Sequence, residues 1–397
     1  MSHQSRERRR AVGLALPLLL FIVVTFVAPL AAMLVRSIHD PAVVDALPET
    51  ISALEGWDGQ GLPPEEAFAA MARELVDARA DRSLGKVASA LNRVQGGLRS
   101  VVSRSARSLE GVSEGPWREA MAGVHEAWSD PTTWHAVLAA GQRFTLRHYL
   151  GALDMRRLPD GSLARQPEDR RIYLPLLWRT LAVSASIAVI CLVLGYPLAH
   201  LIAISPPGRA NLLLALVLVP FWTSLLVRTT AWIVLLQRQG VVNDLLAAIG
   251  LVGEDGRLAL IYNMTGTVVA LTHVLLPFRV LPLYSVMHGI PPQYMRAASS
   301  LGARPAQAFA RVYWPLTLPG VGAGTLLVFI LAIGYYITPA LVGGSSGQLI
   351  SNMVAYHMQT SLNWGLAAAL GGIMLAGVLA LYVLYDRLVG VERLGLG

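Results

Sequence analysis

Residues 294–305 of the chain read Tyr-Met-Arg-Ala-Ala-Ser-Ser-Leu-Gly-Ala-Arg-Pro, and residues 312–315 read Val-Tyr-Trp-Pro. The small residues at 297–300 give a helix a face with almost no bulk, which allows another backbone to approach closely. Gly302 is typical of a C-terminal helix cap, and Pro305 is typical of the first turn of a new helix. The stretch therefore predicts a short, stiff helix suited to a groove of another protein.

Long apolar runs flank this stretch on both sides. A membrane span needs about 20 apolar residues to cross about 30 Å of hydrocarbon. Six runs qualify, at about 11–35, 176–204, 210–236, 262–287, 319–342 and 365–385. The turn-forming residues at 205–209 separate the second and third runs and predict a helical hairpin. The sequence thus predicts an all-α integral membrane protein with six transmembrane helices.

The charged residues are concentrated in one part of the chain. Only 14% of the 397 residues are charged and 54% are hydrophobic, whereas a typical soluble domain has about 25% charged residues. Nineteen of the 25 acidic residues and 17 of the 32 basic residues lie between Arg36 and Pro175. This excludes a soluble enzyme and a disordered chain. It predicts an N-terminal segment with the first span at 1–35, a helical insert at 36–175 and a five-helix core at 176–397.

The arginine distribution predicts the orientation in the membrane, because short cytoplasmic flanks are enriched in Lys and Arg. One side would hold Arg6, Arg8, Arg9, Arg10, Arg209, Arg296, Arg304, Arg311, Arg387 and Arg393. The other side would hold only Arg179, Arg228, Arg238 and Arg257, since long loops such as the insert escape the rule. We therefore expect both termini in the cytoplasm and the insert on the extracytoplasmic side.

The insert has its own helical signals. Pro63, Pro64 and the two glutamates that follow are typical of a first helical turn. From Leu84 to Val101 the apolar residues follow the 3-4 spacing of a helix that packs against another helix, and the amphipathic stretch at 111–130 supplies a partner face. Two roles stay open for the insert. It either docks a soluble partner or is a spacer whose helices pack only on one another.

Residue counts exclude several kinds of chemistry. Cys191 is the only cysteine, so an intrachain disulfide is impossible. Lys86 is the only lysine, and Ala80 and Val87 stand where a Walker-type ATP site requires Gly and Ser or Thr. We expect no enzyme activity, no metal site and no cofactor bound by this chain. Nucleic-acid binding is also not expected, because no basic run lies beside aromatic residues.

Charged and aromatic residues within the runs are the candidates for a transport pathway. Arg228 and Arg279 are charged residues that could line a pathway. The alternative for Arg228 is a side chain that reaches the outer membrane interface, and the alternative for Arg279 is a place in a loosely wound helix end. Trp222, Tyr335 and Tyr336 either meet a cation through their ring faces or form an interfacial aromatic belt. No run contains the Asp or Glu on which a proton- or sodium-driven carrier usually depends.

The loop at about 289–318 resembles the E-A-A-x-x-x-G-x9-I-x-L-P loop in the permease subunits of bacterial ABC importers. Ala297, Ala298, Gly302 and Pro315 match at the same spacing, and Val312 is a conservative match for isoleucine. Arg296 replaces the glutamate and Trp314 replaces the leucine. The resemblance is strongest to the spermidine/putrescine type and extends to residues 144–149, 195–199, 220–232 and 338–344.

This resemblance implies the type I importer fold and a coupling helix in a loop that contacts the ATPase. The residues of this ATPase-coupling loop would be Arg296, Ala297, Ala298, Leu301, Gly302, Val312 and Pro315. It also implies a dimer of ATPase subunits that uses ATP and Mg²⁺, a second permease subunit and a periplasmic substrate-binding protein in the bacterial inner membrane. Two cargo classes stay open. One is a polyamine, and the other is a neutral or anionic solute such as an organic acid or phosphonate. An autonomous secondary carrier is a further alternative.

Overall fold

The structure is a computed structural model that describes residues 3–112, 115–158 and 162–389. Within these residues it divides into two compact units. The first unit runs to Arg170 and includes Trp364–Ala369, and the second comprises Arg171–Asn363 and the residues from Leu370 onward. Arg393, one of the arginines used to predict the orientation, lies outside the described residues.

The first helix is continuous and covers the predicted first span. It consists of α1 (His3–Ile22), a π-turn (Val23–Val27) and α2 (Ala28–Arg36). The π-turn ends two residues before Pro29. The amide of Ala28 donates to the carbonyl of Val23, five residues back. A proline ring clashes with the carbonyl four residues earlier, and the wider turn relieves this clash.

The insert contains seven helices and a short hairpin within the described residues. The helices are α3 (Pro48–Glu55), α4 (Glu65–Ala80), α5 (Leu84–Val94), α6 (Leu98–Ser108), α7 (Trp117–Val124), α8 (Pro131–Ala140) and α9 (Arg147–Ala152). Short 3₁₀ turns cover Glu126–Ser129 and Glu168–Arg170. Strands β1 (Met155–Arg157) and β2 (Leu163–Arg165) pair antiparallel, with Met155 opposite Arg165.

The predicted seam of the insert is buried, but it lies on two helices. Val87 and Leu91 of α5 and Leu98 and Val101 of α6 all belong to one apolar core, which also contains the buried tryptophans 128 and 134. The prediction of a single helix is wrong because Gly97 has a φ of +94° and its amide donates to the Asn92 side chain. Left-handed backbone ends one helix and begins the next.

A buried carboxylate holds the start of α3. Glu74 of α4 accepts hydrogen bonds from the amides of Glu49 and Thr50 at 2.7 and 3.0 Å, and from the Thr50 hydroxyl at 2.6 Å. These amides belong to the first turn of α3, where backbone donors have no partner within the helix. Glu74 therefore caps α3 from a helix more than 20 residues away.

The two ends of the insert meet. The Asp40 amide donates to the Arg143 carbonyl at 3.0 Å, and the Thr145 amide donates to the Ile38 carbonyl at 2.7 Å. The Asp40 carboxylate lies 2.8 Å from Arg147 and 3.6 Å from His148. Burial opposes its ionisation, but the His148 hydrogen bond and the nearby arginines outweigh burial and hold the pKa of Asp40 at about 2.

We predict that Asp40→Asn destabilises the insert at neutral pH by about 1–2 kcal/mol, allowing for solvent screening. The folded pKa of about 2 lies below the ordinary value of 3.8. The stabilisation is therefore complete above about pH 4 and is lost as the pH falls through about 2. Hydrogen exchange at residues 38–40 and 143–147 should show the wild type and the variant converging over this pH interval. An equal difference at every pH would contradict the prediction.

The second unit contains the other apolar helices. They are α10 (Tyr173–Ile204), α11 (Pro207–Trp222), α12 (Leu225–Leu236), α13 (Val241–Ala248), α14 (Met264–His288), α15 (Gln293–Ser300), α16 (Pro305–Ala308), α17 (Trp314–Gly334), α18 (Ile337–Val342), α19 (Ile350–Gln359) and α20 (Trp364–Val389), of which the first turns of α20 belong to the first unit. A π-turn at Phe309–Tyr313 joins α16 to α17, and a 3₁₀ turn covers Glu254–Gly256. Helices α10, α14 and α17 share an apolar core that includes Ile187, Leu271 and Val328.

Two of the predicted spans are interrupted. The third bends by 98° between α11 and α12, so the described residues contain five straight candidate spans, or six when the bent pair counts as one. Ser224 starts α12 by accepting the Val227 amide at 3.2 Å, which competes with a continuous helix. The fifth span ends at Gly334, short of the predicted 342, because Pro339 would clash with the Tyr335 carbonyl in a continuous helix.

Candidate functional site

Helix α15 ends in the predicted cap. The amide of Gly302 donates to the Ser299 carbonyl at 3.0 Å, and the amide of Ala303 donates to the Ala298 carbonyl at 3.1 Å. Gly302 has a φ of +83°, and a Cβ added there would meet no atom within 4 Å. The requirement for glycine at this position is therefore conformational rather than steric.

Helix α15 contacts the rest of the chain through Met295 and leaves most of its surface exposed. None of its residues is buried, Arg296 and Ala297 are exposed, and Ala298 is half-buried. Leu301, directly after the helix, is 89% exposed. Leu301 therefore adds a large apolar side chain to the exposed surface beside this smooth helix face.

The chain leaves α15 as a stiff connection. The Gln307 side chain accepts the Arg304 amide at 3.2 Å, and Pro305 begins the next helix, as predicted. The π-turn that follows has the same origin as the one in the first helix. Trp314 directly precedes Pro315, and its amide donates to the carbonyl of Phe309, five residues back. Val312 is half-buried in this turn and Pro315 is exposed.

Five side chains form a junction between this connection and the core. The Tyr313 hydroxyl lies 3.0 Å from Nδ1 of His200, and the Tyr196 hydroxyl lies 3.1 Å from the Thr317 hydroxyl. The Phe309 ring packs against the rings of Tyr196 and His200. We call these residues the aromatic junction. Met295 of α15 and Phe309 join the same apolar cluster, so α15 is tied to α10 and α17.

Arg228 stabilises the break in the third span. Its Nη2 donates to the carbonyls of Pro220 and Thr223, the latter at 2.9 Å, and its Nε donates to the Thr223 hydroxyl at 3.3 Å. The last four carbonyls of a helix have no partner within it. Arg228 therefore caps the C-terminal end of α11. Trp222, the last residue of α11, is 79% exposed.

The break after α17 is stabilised differently. The Tyr335 carbonyl accepts the Ser351 hydroxyl at 2.6 Å, and the Tyr336 carbonyl accepts Nδ2 of the Asn352 side chain at 2.9 Å. Tyr335 is half-buried and Tyr336 is 39% exposed. Helix α12, which carries Arg228, packs against α18, which begins two residues after Tyr335, so these two predicted pathway residues lie on neighbouring segments.

Two ring side chains complete the surroundings of Arg228. The indole nitrogen of Trp232 donates to Nδ1 of His273 at 3.2 Å. This bond joins α12, which carries Arg228, to α14. Helices α12, α14 and α18 thus meet around the break in the third span.

Arg279 lies elsewhere and is fully buried, with 0% exposure. Its Nη1 donates to the Val321 carbonyl at 2.8 Å and to the Thr325 hydroxyl, whereas Nε and Nη2 have no partner among the described residues. A Cβ on Gly195 or Gly324 would lie 3.0 Å from the Arg279 side chain. Thr325 lies nine residues before the end of α17 at Gly334, which corresponds to about 14 Å, so Arg279 lies well away from the break after α17.

The family model for the inner membrane component of binding-protein-dependent transport systems matches residues 209–390. The spermidine/putrescine transport system permease protein PotB of Haemophilus influenzae is 34% identical over 215 residues, which cover 54% of this chain and 74% of that protein. This chain belongs to that family of inner membrane transport components. PotB of Escherichia coli K12 is 36% identical to the permease over 203 residues, which cover 50% and 73% of the two chains.

Two further relatives extend the comparison. The inner membrane ABC transporter permease protein YdcU of Escherichia coli K12 is 29% identical over 312 residues, covering 74% of this permease and 96% of that protein. A solved bacterial alginate ABC transporter, in complex with an alginate pentasaccharide-bound periplasmic protein, contains a chain with 16% identity and a TM-score of 0.45. That match covers 55% of the permease and 78% of the solved chain.

Membership establishes a multi-pass inner membrane permease subunit of an ABC importer. The family implies an ATPase and a substrate-binding protein as partners. Sequence reasoning named α15 and both arginines, but it did not identify the partners of His200 and His273. The signal for their contacts is long-range, because His200 meets a residue more than 100 positions away.

We predict that Gly324→Val destabilises the permease by about 1–3 kcal/mol, because the new side chain would overpack Arg279. Gly371→Val is the matched control, since a Cβ at Gly371 meets no atom within 4 Å. The melting temperature of the detergent-solubilised permease should fall for the first variant and change little for the second. Equal melting temperatures for the two variants would show that the Arg279 side chain is not tightly packed against Gly324.

Proposed function

We propose that this permease imports a polyamine of the spermidine/putrescine class into the cytoplasm by ATP-driven alternating access. The observation that supports this cargo most strongly is the 34–36% identity to PotB proteins over 70–74% of their length. The permease pairs with a second permease subunit across a pseudo-twofold axis and receives cargo from a periplasmic binding protein. The alternatives are a neutral or anionic cargo for the same importer and an autonomous secondary carrier. The experiment below distinguishes them from polyamine import.

The exposed surface of α15 and the adjoining Leu301 supports docking to a dimer of ATPase subunits. ATP and Mg²⁺ are bound by that dimer, and this permease supplies the mechanical connection. Closure of the ATPases moves α15, and the aromatic junction carries that movement to α10 and α17. The charged side chains of the loop at 289–318 are Arg296, Arg304 and Arg311. The groove that receives α15 is therefore acidic in this importer.

The test is purification of the tagged permease together with the products of its neighbouring genes, followed by transport in proteoliposomes. We expect recovery of an ATPase and a second permease, and ATP-dependent uptake of labelled spermidine or putrescine. Uptake of an organic acid or phosphonate in place of polyamines would overturn the cargo. Flux through the isolated chain without ATP would instead indicate a secondary carrier.

We predict that Gly302→Val uncouples transport. A β-branched residue at a φ of +83° is strained by about 1–3 kcal/mol. If about 1.4 kcal/mol of this strain opposes docking of α15 to the ATPase, the docking equilibrium constant falls tenfold. ATP-driven uptake should fall by roughly tenfold, with unchanged insertion of the permease in the membrane.

The matched control is Gly208→Val. Gly208 is also exposed and also meets no atom within 4 Å, but its φ is not positive. Uptake by this variant should equal that of the wild type. Equal loss in both variants, or normal uptake with Gly302→Val, would contradict the coupling role of the loop.

Both termini lie in the cytoplasm in this proposal, which selective labelling tests. Ser100 in the insert and Ser299 in α15 are exposed, and the only native cysteine, Cys191, is buried. A membrane-impermeant maleimide should label Ser100→Cys in intact spheroplasts. It should label Ser299→Cys only after the membrane is opened. The reverse pattern would invert the orientation.

A further inference from the structure

A polyamine cargo poses an electrostatic problem for this permease. The apolar runs contain no Asp or Glu, and their two internal charges, Arg228 and Arg279, are both positive. A cation that passes through such a region must be stabilised by neutral groups. Backbone carbonyls at helix ends and aromatic ring faces are the neutral groups with this property.

The break in the third span supplies one such helix end. Helix α11 spans 16 residues, and its C-terminus carries a partial negative charge from carbonyls without helical partners. The chain already places a cation on these carbonyls, because the Arg228 guanidinium donates to Pro220 and Thr223. This end of α11 is therefore a site that binds a cationic nitrogen.

The cluster around Arg228 supplies the second component. Helix α17 ends at Gly334, and α18, which begins at Ile337, packs against α12, the helix that carries Arg228. Tyr335 lies in the short link between α17 and α18, and Trp232 of α12 donates to His273 of α14. No carboxylate pairs with Arg228 among the described residues, so its charge is compensated by the carbonyls of Pro220 and Thr223 and by the Thr223 hydroxyl.

We infer that the C-terminal carbonyls of α11, together with Tyr335, form a cation subsite for an amine of the cargo. Arg228 occupies this subsite when cargo is absent. This inference rests on the proposed function. The incoming ammonium group replaces the guanidinium on the carbonyls of Pro220 and Thr223, and the half-buried Arg228 side chain moves aside.

A resident guanidinium has a physical advantage. Carbonyls left bare at a helix break in a membrane are costly, because no water satisfies them. Arg228 satisfies them between transport cycles. It also competes with the cargo, which keeps binding weak enough for release.

The first test compares Arg228→Gln with the wild-type importer complex, purified without its binding protein. The probe is radiolabelled putrescine, with 1,4-butanediol as an uncharged competitor of the same length. Removing the competing guanidinium should tighten putrescine binding by roughly tenfold, the equivalent of one charge-assisted hydrogen bond. Butanediol should not compete. Unchanged or weaker putrescine binding would overturn the inference, since a purely structural cap predicts no gain.

Arg179→Gln is the matched control. Arg179 lies near the start of α10, is exposed, and donates to the Ser346 carbonyl in a loop. Its removal changes the net charge equally without freeing a helix end, so binding should not tighten. If Arg228→Gln does not assemble, Arg228→Lys replaces it. Lysine lacks the forked geometry, so binding still tightens, but by less.

A second test does not depend on the cargo. In Arg228→Ala, low-millimolar guanidinium or methylammonium should raise the melting temperature of the complex by refilling the subsite, with no such effect in Arg179→Ala. Absence of rescue would overturn the subsite even if polyamine uptake is established. Rescue without polyamine uptake would leave the subsite standing and refute the cargo.

Discussion

A break in a membrane helix exposes carbonyl groups that lipid cannot hydrate, and the transmembrane unit of this permease depends on how these groups are satisfied. The third span breaks after Trp222, and the fifth breaks after Gly334. Arg228 donates to the first set of carbonyls, and Ser351 and Asn352 donate to the second. Each break is thus stabilised by side chains, and these side chains determine the chemistry of the region between the helices.

The same constraint explains why the two intramembrane arginines differ. Arg228 is half-buried and bonded to a helix end, so its charge is compensated locally. Arg279 is fully buried among α10, α14 and α17, where Gly195 and Gly324 provide space for its stem. Two of its nitrogens have no partner among the described residues. Substitutions of these glycines therefore act by overpacking the Arg279 side chain, whose charge is only partly satisfied by hydrogen bonds.

The insert is stabilised by different means. Its core consists of buried apolar residues on helices between Pro48 and Ala140, together with the buried cap that Glu74 provides to α3. The residues at both ends of the insert pair through backbone hydrogen bonds at Ile38–Asp40 and Arg143–Thr145. Because its two ends meet, the insert is a folded unit whose first and last residues lie next to each other.

The sequence by itself determined the features that arise from local patterns. Apolar length located the spans, Gly302 marked the end of α15, and the spacing from Ala297 to Pro315 identified the family. These properties depend on residues within a few turns of one another. Only the tertiary structure decided the 98° bend after Trp222, the role of Arg228 at that bend and the slot that two glycines make for Arg279. Each of these depends on hydrogen bonds or close contacts formed once the helices are folded and packed, and the hydropathy of a run carries no record of them.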